Sequence, residues 1–145
     1  MKSTHFTSFV ILCILLLLSF LVRAASGLTM TITGVSDDKG DVLIAIFSAD
    51  AGFPDNPKKA VRLFKGKPAS GKAVVVVNDL PNGKYAVSVF HDTNFNEKFD
   101  TNFLGIPAEG YGVSNNALNT FSAPKYSEAA FNHQGNTQLE IKLKY

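Results

Sequence analysis

The sequence predicts an all-β protein: a single antiparallel β-sandwich of about seven strands that follows a cleaved signal peptide. β-Branched and aromatic residues dominate short alternating or continuous apolar runs, and no segment shows a sustained helical stripe. Turn residues separate these runs at the spacing that is typical of sandwiches. A chain of 145 residues has room for one such domain.

The N-terminal segment has the order of a secretory signal. Lys2 precedes an apolar run over residues 6–22, and small residues follow at Ala24, Ala25 and Ser26. We expect cleavage after Ala24, which gives a signal peptide of residues 1–24, a domain of residues 25–145, and an exported product, periplasmic or secreted. A retained membrane anchor is the alternative, because the run approaches the ~18 residues that span a bilayer.

Cleavage changes the composition of the mature domain. The chain carries 14 basic and 12 acidic residues, and the loss of Lys2 and Arg23 leaves 12 of each. A formally neutral domain without a basic cluster gives no indication of nucleic-acid binding. The single cysteine, Cys13, is also lost. The mature domain, for which we expect no membrane span, must therefore rely on core burial, helped at most by a metal.

Five segments are predicted strands. Residues 28–32 and 85–90 alternate, and 139–145 place Leu, Ile, Leu and Tyr on one face. Residues 42–47 and 73–77 are nearly continuous apolar runs, which are expected in strands that are central or buried on both faces.

The segments between these strands are predicted turns and loops. One helical turn is expected around residues 58–63, and loops are expected at 52–57 and 66–71. The turn at 80–83 calls for a positive φ at Asn or Gly. The connection over residues 91–119 is long enough to suggest a functional or specially held loop.

Side-chain oxygens recur at every second position at the start of this long connection. Asp92, Asn94, Asn96 and Asp100 fall at positions one, three, five and nine of a calcium-loop pattern, and the Lys98 carbonyl would take position seven. Calcium takes six to eight hard oxygen ligands, and a tightly turning loop directs alternate residues inward. The sequence therefore predicts calcium as a cofactor of this loop.

The pattern departs from an EF-hand loop at two positions. Glu97 stands where a turning glycine is expected, and Phe103 stands where a bidentate glutamate is expected. Glu109 is the candidate that would close the site from further along the chain. With few charges, the expected affinity is modest, in the ~10⁻⁴–10⁻³ M range of extracellular modules. The alternative is a metal-free loop whose Asp and Asn side chains cap their own backbone as Asx-turns.

Two resemblances follow from longer motifs. Leu80-Pro81-x-Gly83-x-Tyr85 resembles the turn of transthyretin-like and carboxypeptidase-regulatory sandwich domains, and implies a transthyretin-like or immunoglobulin-like sandwich. A longer pattern is similar to the bacterial exported family known as domain of unknown function 2141. It runs His-Asp-x-Asn-x-Asn-x-Lys-x-Asp over residues 91–100, then Leu-Gly-Ile-Pro-x-Glu-Gly-Tyr-Gly-x-Ser-Asn-Asn over residues 104–116. That resemblance implies export and a small β-sandwich, and it implies no established activity. The family usually has glycine where this chain has Phe95 and Glu97.

Residues beyond the loop have competing interpretations. Glu109, Tyr111, Ser114 and Asn115 would line a ligand cleft, or the glycine-rich stretch around them simply folds back against the sandwich edge, which we favour. His91 is a base, a metal ligand or, most commonly for such a residue, a histidine hydrogen-bonded to a loop.

Catalytic motifs are not evident in the sequence. It has no Gly-x-Ser-x-Gly elbow and no His-Glu-x-x-His helix. A ureide hydrolase shares the transthyretin-like fold, but this chain lacks its terminal Tyr-Arg-Gly-Ser motif. We expect a non-catalytic binding or structural module with an unknown protein or small-molecule partner. A small-ligand or carbohydrate binder and a hydrolase of unrecognised type are the alternatives.

Overall fold

A computed structural model describes residues 27–120 and 122–145, so the predicted signal peptide lies outside the described residues. The described chain is an all-β sandwich in which a three-stranded sheet packs against a five-stranded sheet. The predicted fold class is confirmed.

Eight strands form the two sheets of the described chain. They are β1 Gly27–Thr33, β2 Asp41–Phe47, β3 Arg62–Gly66, β4 Lys72–Asn78, β5 Gly83–Asp92, β6 Tyr111–Val113, β7 Phe131–His133 and β8 Asn136–Lys142. Two 3-10 turns lie at Pro57–Lys59 and Ser114–Asn116, and a one-turn helix, α1, spans Tyr126–Ala129. None of the described helices is long and apolar enough to cross a bilayer.

The strand order places β1 and β5 at the centres of the two sheets. The smaller sheet runs β4-β1-β8, and the larger runs β3-β2-β5-β6, with β7 pairing with the first residues of β5. All of these pairs are antiparallel except β1 with β8, which run parallel. Parallel neighbours need a connection outside their own sheet. Here the strands of the second sheet supply much of that connection, and the sandwich is antiparallel at every named strand pair except this one.

Two apolar runs are buried on one face only. Alternate residues of β2 are buried, and β4 alternates strictly between buried and exposed positions. Val74 and Val76 are each 55% exposed, whereas Val77 is buried. The expectation that these strands are central or buried on both faces is confirmed for β2, which lies between β3 and β5. It is wrong for β4, which lies at a sheet edge with its outer face in solvent.

β5 is the strand that is buried on both faces. Tyr85, Val87 and Val89 face the main core between the sheets. On the opposite face Ala86 packs with Val113 and Ala129 in a second, smaller apolar cluster beneath α1. The short elements after β6 therefore serve to cover the outer face of β5.

The turns differ in detail from the sequence predictions. The expected helical turn is a 3-10 turn at Pro57–Lys59, and Arg62–Gly66 is already strand. At the turn before β5 the positive φ belongs to Asp79, at 58°, rather than to Asn82 or Gly83. The Tyr85 hydroxyl donates to the carbonyl of Pro81 at 3.0 Å, the tyrosine-corner contact of immunoglobulin-like sandwiches. This bond fixes the turn without left-handed backbone at Asn82 or Gly83.

Candidate metal-binding loop

The candidate loop leaves the end of β5 and returns to it at β6. Asp92 is the last residue of β5, and Tyr111 is the first residue of β6. The base of the loop is closed where the His91 N–H donates to the Gly110 carbonyl at 2.8 Å, and further out the Ala108 N–H donates to the Asp100 carbonyl at 2.9 Å. The loop is therefore a folded excursion tied to the sheet at both ends.

Asp92 anchors the loop from inside the protein. Its side chain is buried, with 1% of its surface exposed. One carboxylate oxygen accepts the N–H of Asn96 at 3.1 Å, and the other accepts the N–H of Glu97 at 2.9 Å. The Asp92 carboxylate thus organises the tightest part of the turn.

Glu109 is brought to the same loop from the far end of the connection. It is 3% exposed, and its two carboxylate oxygens accept the N–H groups of Thr93 and Asp100, each at 3.1 Å. The structure therefore places Glu109 beside the loop, as the sequence prediction requires. The first and last parts of the loop are joined through this single side chain.

The exposed part of the loop is a network of Asx-turns around Asp100. The side-chain oxygen of Asn94 accepts the Asn96 N–H at 3.1 Å, and that of Asn96 accepts the Lys98 N–H at 2.8 Å. Both asparagine amides donate to the Asp100 carboxylate, Asn94 at 2.7 Å and Asn96 at 2.9 Å. These contacts are the ones that the metal-free alternative predicts.

The carboxylates of Asp92, Asp100 and Glu109 do not converge on one point. Among the described residues, no group of three or more His, Cys, Asp or Glu side chains is placed to hold a metal ion. A calcium ion in this loop would therefore have to draw on oxygens of Asn94 and Asn96 and on the backbone carbonyl of Lys98, as well as on carboxylates.

The backbone turns sharply at the two positions where the resembling family has glycine. Phe95 has φ of 62° and Glu97 has φ of 57°. Residues other than glycine, asparagine and aspartate rarely adopt this left-handed backbone conformation. The glycine that a calcium-loop pattern places at position six is thus replaced here by a glutamate that keeps the left-handed backbone.

Two lysines, one in β3 and one just after it, contact the side chains of these two residues. Lys65 in β3 forms an ion pair with Glu97, and the hydrogen bond from this ammonium raises the pKa of Lys65. The ammonium of Lys67 lies 5.2 Å from the ring centroid of Phe95, a cation–π contact. Both residues that replace glycine therefore have a partner that a glycine would lack.

Behind the loop, His91 is hydrogen-bonded on both ring nitrogens and is fully buried. Nε2 lies 2.7 Å from the Lys39 carbonyl, so it must donate. Nδ1 then accepts from the Tyr145 hydroxyl at 3.1 Å, and that hydroxyl accepts the Ser36 N–H at 2.9 Å. This is the loop-bonded arrangement expected for His91, and it leaves no free nitrogen for proton transfer or metal binding.

Two glycines make room for this arrangement. A Cβ on Gly40 would lie 2.1 Å from the Asp92 carbonyl oxygen, and Gly40 has φ of 77°. A Cβ on Gly110 would lie 2.3 Å from the ring of Tyr145. The turn before β2 and the aromatic ring of Tyr145 can therefore approach the loop only because these positions lack side chains.

A family comparison covers most of the chain. The sequence model described as "Uncharacterized protein conserved in bacteria (DUF2141)" matches residues 30–141. The chain belongs to this family. No match was found among curated proteins or among solved structures.

In this DUF2141 domain most of the suspected cleft residues have structural roles. Ser114 is buried, accepts the Val87 N–H at 2.9 Å and donates to the Ala129 carbonyl at 2.6 Å. The Asn115 amide donates to the carbonyls of Glu128 and Ala130. The structural interpretation of this stretch accounts for these residues, and Tyr111 alone borders a groove.

The groove of this DUF2141 domain lies beside the loop and has a volume of about 310 Å³. The sequence suggested a cleft beside the loop and named Tyr111 for it, but it did not identify the other lining residues, two of which lie just beyond the end of β8. Its lining residues are Ile106, Pro107, Tyr111, Leu118, Asn119, Thr120, Lys144 and Tyr145.

Proposed function

We propose that this DUF2141 domain is an exported, non-catalytic binding or structural module whose loop at residues 92–100 is stiffened by calcium. The observation that carries the proposal is the pair of buried carboxylates, Asp92 and Glu109, inside a loop with exposed oxygen ligands. Asp92 and Glu109 bring carboxylate oxygens to the same loop as the amide oxygens of Asn94 and Asn96. Calcium is the common cation that takes amide, carbonyl and carboxylate oxygens together.

The hydrogen bonds of the loop indicate what calcium would displace. The amide groups of Asn94 and Asn96 donate to Asp100, and a cation bound to Asp100 would replace these donors. Because calcium would replace existing hydrogen bonds, the net free energy gained on calcium binding is smaller. This supports a modest calcium affinity. The role of the ion is then to hold the loop rigid against the sheet, next to the groove.

The test is thermal unfolding of the purified protein in EDTA and in millimolar calcium. A ligand at about 100 times its dissociation constant adds about 2.7 kcal/mol of stability, which raises the Tm of a domain of this size by roughly ten degrees. Asp100→Asn should remove most of the calcium shift, because it removes one ligand charge. Asp55→Asn, an exposed carboxylate outside the loop, is the matched control and should leave the shift unchanged.

A gain-of-affinity variant makes the same test sharper. Asn94→Asp adds a charge at position three of the loop, so it should raise calcium affinity. In EDTA the same variant should be less stable than the parent, because it sets a second carboxylate against Asp100. An unchanged Tm for the parent in calcium, or an equal shift in Asp100→Asn, would leave the Asx-turn network as the whole explanation of the loop.

Binding of a small ligand in the groove is the second candidate function. The groove offers two tyrosines, aliphatic walls and the ammonium of Lys144, a lining that suits a small ligand with an apolar body and a polar or anionic group. A fragment screen by NMR should report shifts at Tyr111 and Leu118 that Tyr111→Ala abolishes. Fragment hits that map away from this groove would contradict the assignment.

Export has a direct test of its own. The sequence of residues 1–26 predicts processing after Ala24. When the full chain is expressed in a bacterium, the protein recovered outside the cytoplasm should begin at Ala25 by N-terminal sequencing. A product that keeps Met1 and sediments with membranes would instead identify the apolar run as an anchor.

A further inference from the structure

β4 is an edge strand with an apolar outer face. It pairs with β1 on one side, and among residues 27–120 and 122–145 no strand pairs with its other side. Val74 and Val76 point outward and are each 55% exposed. Exposed apolar side chains on an open edge strand are the feature by which one sheet extends into another.

The backbone of β4 directs unused hydrogen-bonding groups to this edge. The Lys72 N–H donates to the Ala69 carbonyl at 3.3 Å, and the Lys72 carbonyl accepts the Ala69 N–H at 2.7 Å. Lys72 is thus bonded on the side away from β1. Since alternate residues of an antiparallel strand face opposite neighbours, the N–H and C=O groups of Val74 and Val76 also face away from β1. They point to the open edge.

The opposite edge of the same sheet is covered at the end of β8. Asn116 lies along β8, where its amide nitrogen donates to the Glu140 carbonyl at 3.3 Å and its amide oxygen accepts the Lys142 N–H at 2.8 Å. The side chain of Asn116 therefore occupies backbone groups that a further strand would use. Charged residues on β8 add to this protection. The edge of β4, whose charged residue lies only at its start, is the less protected of the two.

We propose that β4 pairs with β4 of a second copy of this chain, in a two-fold dimer that joins the two three-stranded sheets into one of six. An antiparallel ladder centred on Val76 pairs Val74 with Asn78 of the other copy and remains clear of Ala69. It keeps the core faces of both sheets on the same side, because the side-chain period of a strand is two. It also brings the exposed valines of the two copies together.

Charge favours a second copy as the occupant of this edge. Lys72 and Asp79 lie at opposite ends of an otherwise uncharged run. Antiparallel pairing with the same strand sets the lysine of each copy near the aspartate of the other. Because Asn116 and the charged residues of β8 protect the opposite edge of this sheet, the assembly closes at two chains and does not grow into a fibre. The ladder is short, so the dimer is weak and depends on protein concentration.

The first test is analytical ultracentrifugation of the purified protein over a range of concentrations. The weight-average mass should rise with concentration toward that of two chains. Val76→Lys should give a monomer with unchanged circular dichroism, because it places two like charges together at the two-fold axis. Val76→Pro should do the same, because it removes an outward N–H group that β1 does not use. Leu63→Lys is the matched control, since Leu63 is 60% exposed on the edge strand of the other sheet.

Hydrogen exchange supplies a second readout within the same strand. The amides of Val74 and Val76 should gain protection as concentration rises, whereas those of Val75 and Val77 should be protected at every concentration. A monomer at all concentrations would overturn the proposal, as would a dimer that persists in Val76→Lys or is lost in Leu63→Lys. A monomer with a protected Val76 amide would also overturn it, because another segment of the chain would then occupy the edge.

Discussion

At the scale of single residues, Phe95 and Glu97 replace the glycines of the family pattern but keep left-handed backbone. The sequence identified both positions as departures, but it could not show that the backbone keeps the glycine conformation. It also could not show the contacts of these side chains with Lys65 and Lys67, which come from a different strand and its flank and are brought beside the loop only by folding. The sequence named Asp92 from its position in the calcium-loop pattern and Glu109 as a candidate from further along, but only the fold shows that Glu109 bonds to Thr93 and Asp100.

Replacing Phe95 separates backbone strain from side-chain contact. Phe95→Ala and Phe95→Gly both remove the ring and its contact with Lys67. Glycine adopts φ of 62° without steric cost, whereas alanine does not. Phe95→Gly should therefore be more stable than Phe95→Ala by about 1 kcal/mol, measured by urea unfolding. Equal stabilities would show that position 95 carries no conformational strain.

Tyr145 is the residue that the sequence could note but not interpret. Its hydroxyl joins Ser36 to His91, and this link became visible only when the turn after β1 and the end of the chain were placed side by side. Tyr145→Phe should cost about 1–3 kcal/mol, because it leaves the buried His91 nitrogen without its donor. Tyr126→Phe is the control, since its hydroxyl bonds one exposed carbonyl. It should cost less when both are measured by denaturant unfolding.

At the scale of elements, the long alternating strands were predictable and the short ones were not. β1, β5 and β8 follow the period-two pattern or its buried variant over six or more residues. β6 and β7 have three residues each, too few to show a period, and β6 lies inside the connection predicted as a loop. Both faces of β4 carry valines, so residue type does not distinguish the buried face from the exposed one. Which of them are exposed is determined by which face of β4 is turned toward the opposite sheet.

The contact between two loops depends on Gly40. A side chain there would meet the carbonyl of Asp92, the residue that anchors the candidate metal loop. Gly40→Ala should destabilise the protein by at least about 2 kcal/mol, because backbone must move and the φ is positive. It should also reduce any calcium-dependent Tm shift, because Asp92 moves. Gly135→Ala is the control, since Gly135 has a positive φ and open space around it.

At the scale of the whole molecule, the stability of the described chain comes from one main apolar core, which contains no cysteine. Sixteen buried residues from both sheets form that core. Most of these core residues could be identified from the sequence, because they belong to the predicted strands. The pairing of the sheets and the parallel contact between β1 and β8 could not be derived, because both depend on how distant segments cross between layers.

A core truncation tests this view of a single cooperative unit. Ile141→Ala in β8 removes a fully buried side chain and should cost about 2–5 kcal/mol. That is a large part of the ~5–15 kcal/mol that holds a typical domain together. Leu63→Ala, at an exposed position, should change stability by less than about 0.5 kcal/mol. Two separate unfolding transitions in the Ile141→Ala variant would contradict a single unit.

The parallel pairing of β1 with β8 also governs when the protein can fold during its synthesis. β1 is the first of the eight strands to be made, yet one of its two neighbours is the last. The N–H of Ser36, just after β1, donates to the hydroxyl of Tyr145, which lies 109 residues further along the chain. Contacts between such distant segments form late, because the entropy of closing the intervening chain opposes them until packing compensates. A nascent copy is therefore expected to complete its three-stranded sheet only after β8 has been made.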